Sequence, residues 1–391
     1  MIWRRYLAVM AASWVAAAAS IAAIGLLFDP LGISPIGMSI AGFNDQKPLR
    51  YQHDRIVKRV DVRRAQPTTI VMGSSRIKQA IDPRSVTGTR FATAYNAGMD
   101  GSADFGEAGT YLRYYLDHDP RLEYVFLEAF PSALLSATGV APITRLGPAD
   151  DLADHASVVF TMNGLEYLIR TVWLNLRRPS ASAAGLPESG YAPIDLSPHH
   201  FSVRNIFNQI LHQRILRRGT SLSPAVVAAA GEMIQECRAR RVECRFFLSP
   251  MHADALYAVY ALGLWPQLEA LKRGLAAFGP TYDFTRYSAL IDERSGPVVY
   301  WPEAFHFSPA LGTVVAQAMT GSQPPGTPSN FGAVIDIGNV EESLVAWRGE
   351  RDRWIAEHPD APERMRRAEE QFLQGVPFSV VTQAEIAAGG W

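Results

Sequence analysis

From Tyr6 to Phe28 the chain carries no charged residue, and Asp29-Pro30 ends the run. No other stretch limits the chain's options as much. As a helix, a run of that length covers the ~30 Å hydrocarbon core of a bilayer. Arg4 and Arg5 precede it, which predicts a cytoplasmic N-terminus and an exported body. Trp3 and Tyr6 stand where interfacial aromatics are expected. A cleaved signal peptide is the rival reading, since the run is rich in alanine. The run is longer than a usual signal core, and no clear cleavage site precedes Asp29. An uncleaved anchor through residues 6–28 is therefore expected: a single pass through the cell inner membrane, with the body in the periplasm. ATP and NAD are scarce there, so chemistry without a cofactor is expected.

The rest of the 391 residues must fold as a globular body. Hydrophobic residues make up 48% and charged residues 19%, ordinary for such a body plus one membrane segment. The formal net charge of -1 provides no basic footprint for nucleic acid. The two cysteines, Cys237 and Cys244, have no metal-ligand spacing to any histidine. A disulfide between them and two buried thiols are both open readings.

Apolar, β-branched runs alternate with helical text. Strands are expected at 68–72, 91–95, 123–128, 244–249 and 281–284. Helices are expected at about 103–116 and 223–240, and over 253–278 with a break near Pro266. That alternation implies a parallel sheet of about five strands with helices on its faces, a three-layer α/β/α fold. Residues 1–28 form the anchor and 29–66 a connector with a loop and a helix. Residues 67–320 form the main domain, interrupted at about 131–222 by a helical insertion. Residues 321–391 form a linker and a charged helical tail.

Three stretches carry chemistry. "TTIVMGSSR" ends a core strand in Gly73-Ser74-Ser75-Arg76. A turn explains those residues; so does a nucleophile at the carboxyl end of a parallel strand, where open α/β sheets place ligands. "YNAGMDGS" ends the second strand in a glycine-rich turn containing Asn96 and Gly101. In "YWPEAFHFSPALG", Ser308-Pro309 is a strong helix start, which puts His306 in a loop just ahead of it. Glu303, three residues earlier, can accept from the imidazole Nδ1–H and leave Nε2 free to take a proton. Asp283 is a second candidate to orient His306. His252 follows the strand "CRFFLS" on the same sheet edge as Ser75. Asp195, His199 and His200 lack a third ligand at useful spacing, so no metal site is expected.

In their order, these blocks resemble the SGNH (GDSL-like) hydrolases and acyltransferases. The pattern is most similar to that of membrane-anchored exported members, such as the D-alanyl-transfer protein of teichoic acid synthesis and alginate O-acetyltransferases. "VMGSSR" matches the first block, with Ser74 in place of the usual Asp. "NAGMDG" matches the second, and "EAFH" matches Asp-x-x-His with Glu303 for Asp. The resemblance implies a three-layer SGNH-like sandwich with Ser75 as nucleophile, His306 as base and Glu303 as its orienting acid. It also implies an oxyanion hole from the N–H groups of Ser75 and Gly101. The third block, Gly-x-Asn-Asp, is missing: the strand "YVFL" runs into Glu128-Ala129-Phe130. Asn96 or Arg76 is the expected substitute donor. Ser74, Arg76 and His252 are expected near the substrate. The expected activity is a serine esterase or O-acyltransferase acting on an envelope or exported polysaccharide ester. The alternative is a non-catalytic scaffold or glycan-binding subunit that partners a membrane acyltransferase.

Overall fold

The computed structural model describes residues 2–86, 88, 91–101, 104–136, 139–159, 161–177, 189–193, 222–292, 300–302 and 306–374. They divide into two compact units. The first combines the N-terminal 65 residues with 145–192, so it takes in the middle of the expected insertion.

In this first unit, α1 (Ile2–Phe28) is the apolar helix, long and apolar enough to cross a membrane. Its carboxyl end leaves carbonyls without intrahelical donors. Lys47 Nζ donates to Phe28 O (2.9 Å) and Asp29 O (2.6 Å), and Asn44 Nδ2 donates to Phe28 O (2.6 Å). The Lys47 cation also complements the negative end of the helix dipole. The helix expected in the connector is α2 (Asp54–Ala65). It shares a small core, including Leu31, Val57, Val60 and Val158, with α6 (Pro148–Val159) and α7 (Met162–Arg177). The two cations that α2 buries find acceptors: Lys58 Nζ donates to Gly190 O (2.9 Å), and Arg59 pairs with Asp151 (3.1 Å) and Asp154.

The second unit holds a six-stranded sheet in the order β2-β1-β3-β4-β5-β6. The strands are β1 (Thr69–Gly73), β2 (Ala94–Gly98), β3 (Tyr124–Ala129), β4 (Glu243–Leu248), β5 (Thr281–Asp283) and β6 (Ala333–Ile335). The first five are parallel, which makes the fold α/β with a mostly parallel sheet; β6 adds antiparallel to β5. That sixth strand comes directly after the segment read as a linker. A tight turn at Gly332 (φ +77) precedes it, and the Gly332 N–H donates to Asp283 O (3.1 Å).

The second strand lies three residues later than expected, because Asn96 and Gly98 belong to it. Both pair with β1, Asn96 opposite Val71 and Gly98 opposite Gly73. A buried asparagine is tolerated there because its Nδ2 donates to Ile77 O and Ile81 O, each at 2.7 Å. Burial is acceptable for a polar group only with such partners.

The helices of this unit are α3 (Ser75–Ala80), α4 (Phe105–His118), α5 (Pro131–Ser136), α8 (Pro224–Ala239), α9 (Ala253–Ala261), α10 (Trp265–Ala276), α11 (Pro309–Thr320), α12 (Val340–Glu357) and α13 (Ala361–Leu373). The expected break at Pro266 is the start of α10, where proline fits the first turn. Cys237, at the end of α8, and Cys244, in β4, form a disulfide. Of the charged tail, α12 packs on α10 and α13 on α9. Trp347 of α12 is fully buried and stacks on Trp265 at 3.9 Å.

Beneath Trp347 lies a buried ion pair, Lys272 Nζ to Asp283 Oδ2 at 2.7 Å, with Nζ 3.0 Å from the indole centroid. Burial pushes the Lys272 ammonium down to about 8, against the pull of Asp283. Burial alone would raise the Asp283 carboxyl, but Lys272 and Thr285 hold it below the usual carboxylate range. A lowered carboxyl contributes stability at neutral pH and loses it as the pH falls through that lowered value.

Removing one partner of a buried pair leaves an uncompensated charge. Lys272→Met should therefore cost about 3–5 kcal/mol, and Lys272→Met with Asp283→Asn should cost much less than the two singles added. Urea-unfolding midpoints in detergent check this. Additive losses would show that the pair is not coupled.

Candidate functional site

The sheet order sets the location. From β1 the chain passes to β2 on one side and then returns to β3 on the other. Open parallel sheets bind ligands beyond the strand carboxyl ends at such a reversal. At that point β1 ends in Gly73, and Ser74 turns the chain into α3. The Ser74 N–H donates to Glu128 Oε2 of β3 (2.7 Å), and its Oγ accepts from Arg76 N (3.3 Å). Glycine at 73 gives the strands room, since a Cβ there would lie 2.6 Å from Glu128 Cβ and 2.5 Å from Ile77 Cγ1. Ser75 is consequently the first residue of α3, half-buried, and its N–H has no carbonyl within the helix to take it.

His306 comes to Ser75 from the far end of the chain. Ser75 Oγ and His306 Nε2 are 2.8 Å apart. With Nε2 unprotonated, the hydroxyl donates to it, the hydrogen bond a nucleophile and its base must make. The loop that carries His306 is pinned on both sides. Before it, Trp301 Nε1 donates to Leu290 O (3.0 Å), and the Ser308 N–H donates to Tyr300 O (2.8 Å). After it, Phe307 is fully buried, and Ser308 Oγ caps α11 by accepting from Leu311 N (3.4 Å). Helix α11 then packs on α3. Gly312 permits that approach: a Cβ there would sit 1.9 Å from Ala80 O.

Arg76 joins the same parts from below. It is buried, and its guanidinium donates to Ser249 Oγ (3.0 Å) and Pro250 O at the end of β4. It also lies over the ring of Phe130, after β3 (4.2 Å), and that of Phe307 (5.3 Å). One cation thus ties the ends of two strands to the histidine loop. The glycine-rich turn is held against α3 as well. Gly98 has room for no Cβ, since Ser74 O and Lys78 N would lie 2.8 and 2.4 Å from it. Fully buried Lys78 donates to Asp100 Oδ2 at 2.8 Å, and Met99 N donates to Gly73 O at 2.8 Å. Gly101 follows, exposed and at φ +70, a left-handed conformation that suits glycine.

The structure thus brings Ser75 and His306 together and holds the Gly101 turn against α3. Glu303, the expected orienting acid, lies outside the described residues, as do Asp195, His199 and His200. Asn96 spends both amide hydrogens on the carbonyls of Ile77 and Ile81, so its role is to hold β2 to α3. Ser74, Arg76 and His252 are all buried. His252 caps α9, its Nδ1 accepting from Asp254 N (3.2 Å), and its ring meets Trp301 edge-on at 5.5 Å. Asp283 is committed to Lys272 and Thr285. Among the described residues no group of three or more His, Cys, Asp or Glu side chains could hold a metal ion. Comparison with protein-family models, with curated proteins and with solved structures finds no match.

The residues that position the pair were harder to read. Glu128 marks a departure from the third-block pattern, yet it anchors the Ser74 N–H. Gly312 carried a signal: a glycine inside a capped helix costs about 1 kcal/mol against alanine, so it implies a close neighbour. Gly312→Ala should force α11 off α3, with an overpacking cost of about 1–3 kcal/mol. Reactivity at Ser75 should fall with it. A half-buried control on the same helix, Thr313→Ala, should leave reactivity unchanged. Equal reactivity of Gly312→Ala and the unaltered chain towards a serine-directed probe would show that the helix contact does not set the pair.

Proposed function

We propose that this chain is a membrane-anchored serine esterase or O-acyltransferase with an SGNH-like three-layer domain, exported to the periplasm. The observation that carries the reading is the 2.8 Å contact between Ser75 Oγ and His306 Nε2 at the carboxyl end of β1. Export is supported by Arg4 and Arg5 before the apolar helix and by the Cys237–Cys244 disulfide, a bond that persists in oxidising compartments.

Ser75 Oγ attacks the carbonyl carbon of an ester while its proton passes to His306 Nε2. The backbone N–H groups of Ser75 and Gly101 hold the oxyanion. As the tetrahedral intermediate collapses, Nε2 returns the proton to the departing alcohol and the acyl group stays on Ser75. An acceptor hydroxyl then gives its proton to Nε2 and attacks the acyl carbon; as the bond to Ser75 Oγ breaks, Nε2 returns that proton to Oγ and the acyl group leaves on the acceptor. Water as acceptor makes an esterase; a sugar hydroxyl of an envelope polysaccharide makes an acyltransferase. The resemblance assigns to Glu303 the task of orienting the imidazole. Without the third-block asparagine one oxyanion donor is lost, worth about 2.7–4 kcal/mol in a well-studied hydrolase, so slow turnover is expected.

Glu128 in place of that asparagine also favours a second reading, an SGNH-shaped scaffold that binds glycan or a membrane acyltransferase without chemistry of its own. A fluorophosphonate probe separates the two. Labelling should occur in the full chain, persist in Ser74→Ala and vanish in Ser75→Ala. Hydrolysis of a simple acetyl ester should fall on the order of 10³-fold or more in Ser75→Ala and in His306→Ala. The double variant should be little worse than either, because the two residues act as a unit. No labelling of the full chain would favour the scaffold.

A further inference from the structure

Helix α1 is exposed along most of its length, as a bilayer-spanning helix would be. Its carboxyl-terminal turns differ: Ala22 is buried, and Gly25 and Leu26 are half-buried. Helices α6 and α7 of the same unit both pack against α1. Ala22 lies six residues before Phe28, about 9 Å along the axis at 1.5 Å per residue. If the apolar run lies in the hydrocarbon core, whatever buries Ala22 is inside the outer leaflet too.

The outward face of α7 fits that depth. Ile169, Trp173 and Leu176 are exposed and, at i, i+4 and i+7, lie on one strip of the helix. The neighbouring exposed strip is polar, with Glu166 and Arg170. In the last turn the Arg177 guanidinium lies 4.1 Å over the Trp173 ring. An indole with a long cation beside it suits the boundary between acyl chains and headgroups. At 16 residues α7 is about 24 Å long, too short to cross the membrane. The segment that leaves α1 adds exposed Ile36, Met38 and Ile40.

We infer that α7 lies in the outer bilayer interface, with the Ile169–Trp173–Leu176 strip in the acyl chains and the Glu166–Arg170 strip in water. The occupant of this face is lipid. The first unit is then a membrane-seated base rather than a spacer. This rests on the reading of α1 as a membrane span, and the test separates the two.

The full chain, with its disulfide intact, is reconstituted into phosphatidylcholine–phosphatidylglycerol vesicles. A nitroxide is placed by Ile169→Cys, Leu176→Cys, Glu166→Cys or Val15→Cys, one at a time. Collisions with oxygen, which concentrates in lipid, are compared with those of a water-soluble nickel chelate. Labels at 169 and 176 should favour oxygen several-fold, as the α1 label at 15 does, whereas the label at 166 should favour nickel. If 15 favours oxygen while 169 and 176 behave as 166 does, the interfacial helix is wrong and the anchor stands. If 169 and 176 are shielded from both reagents, protein covers the face and the inference is overturned. If 15 itself favours nickel, the anchor and the inference fall together.

Discussion

The closeness of α11 to α3 is the constraint on which the candidate site depends. Ser75 and His306 are separated by most of the chain, and each sits on or beside a short helix start. They meet because Gly312 lets α11 lie against the Ala80 carbonyl of α3. The rest of the framework works in the same direction. Glu128 fixes the Ser74 N–H, and Arg76 joins Phe130, Ser249, Pro250 and Phe307 into one buried cluster. Rigid packing of this kind converts sequence-distant groups into neighbours, because interiors resist displacement.

Buried charge is the second theme, and it divides labour among carboxylates. Glu128 serves a backbone N–H, Asp283 serves Lys272, and Asp100 serves Lys78. Each of the three lysines at positions 58, 78 and 272 is buried and meets an acceptor. Polar groups in those places cost stability if one partner is lost, so they specify the arrangement of strand ends and loops.

Much of this was legible from residue patterns, for identifiable reasons. The strands at 69–73, 124–129 and 243–248 announce themselves through the apolar runs Ile70–Met72, Tyr124–Leu127 and Phe246–Leu248, because the buried parts of parallel strands read as unbroken apolar text. Ser308-Pro309 announced α11 through capping chemistry, and His306 with it. The second strand was misplaced because Asn96 and Gly98 look like turn residues; only the carbonyls of Ile77 and Ile81, supplied by tertiary structure, make a buried asparagine acceptable there. β6 escaped notice because three residues, Ala333 to Ile335, carry no period. Arg76 looked like a substrate contact because a cation beside a nucleophile suggests one. Its partners, Ser249, Pro250 and Phe307, lie far along the chain, so no local pattern announced its burial.

The central claim is that Ser75 and His306 form a working nucleophile and base. The most direct measurement is mass spectrometry of the full chain, quenched in acid within one turnover of an activated acetyl ester. A working pair should leave one acetyl group on the peptide that bears Ser75, and none on that peptide in His306→Ala. An unmodified Ser75 peptide in the unaltered chain, or acetylation that persists at full extent in His306→Ala, would contradict it.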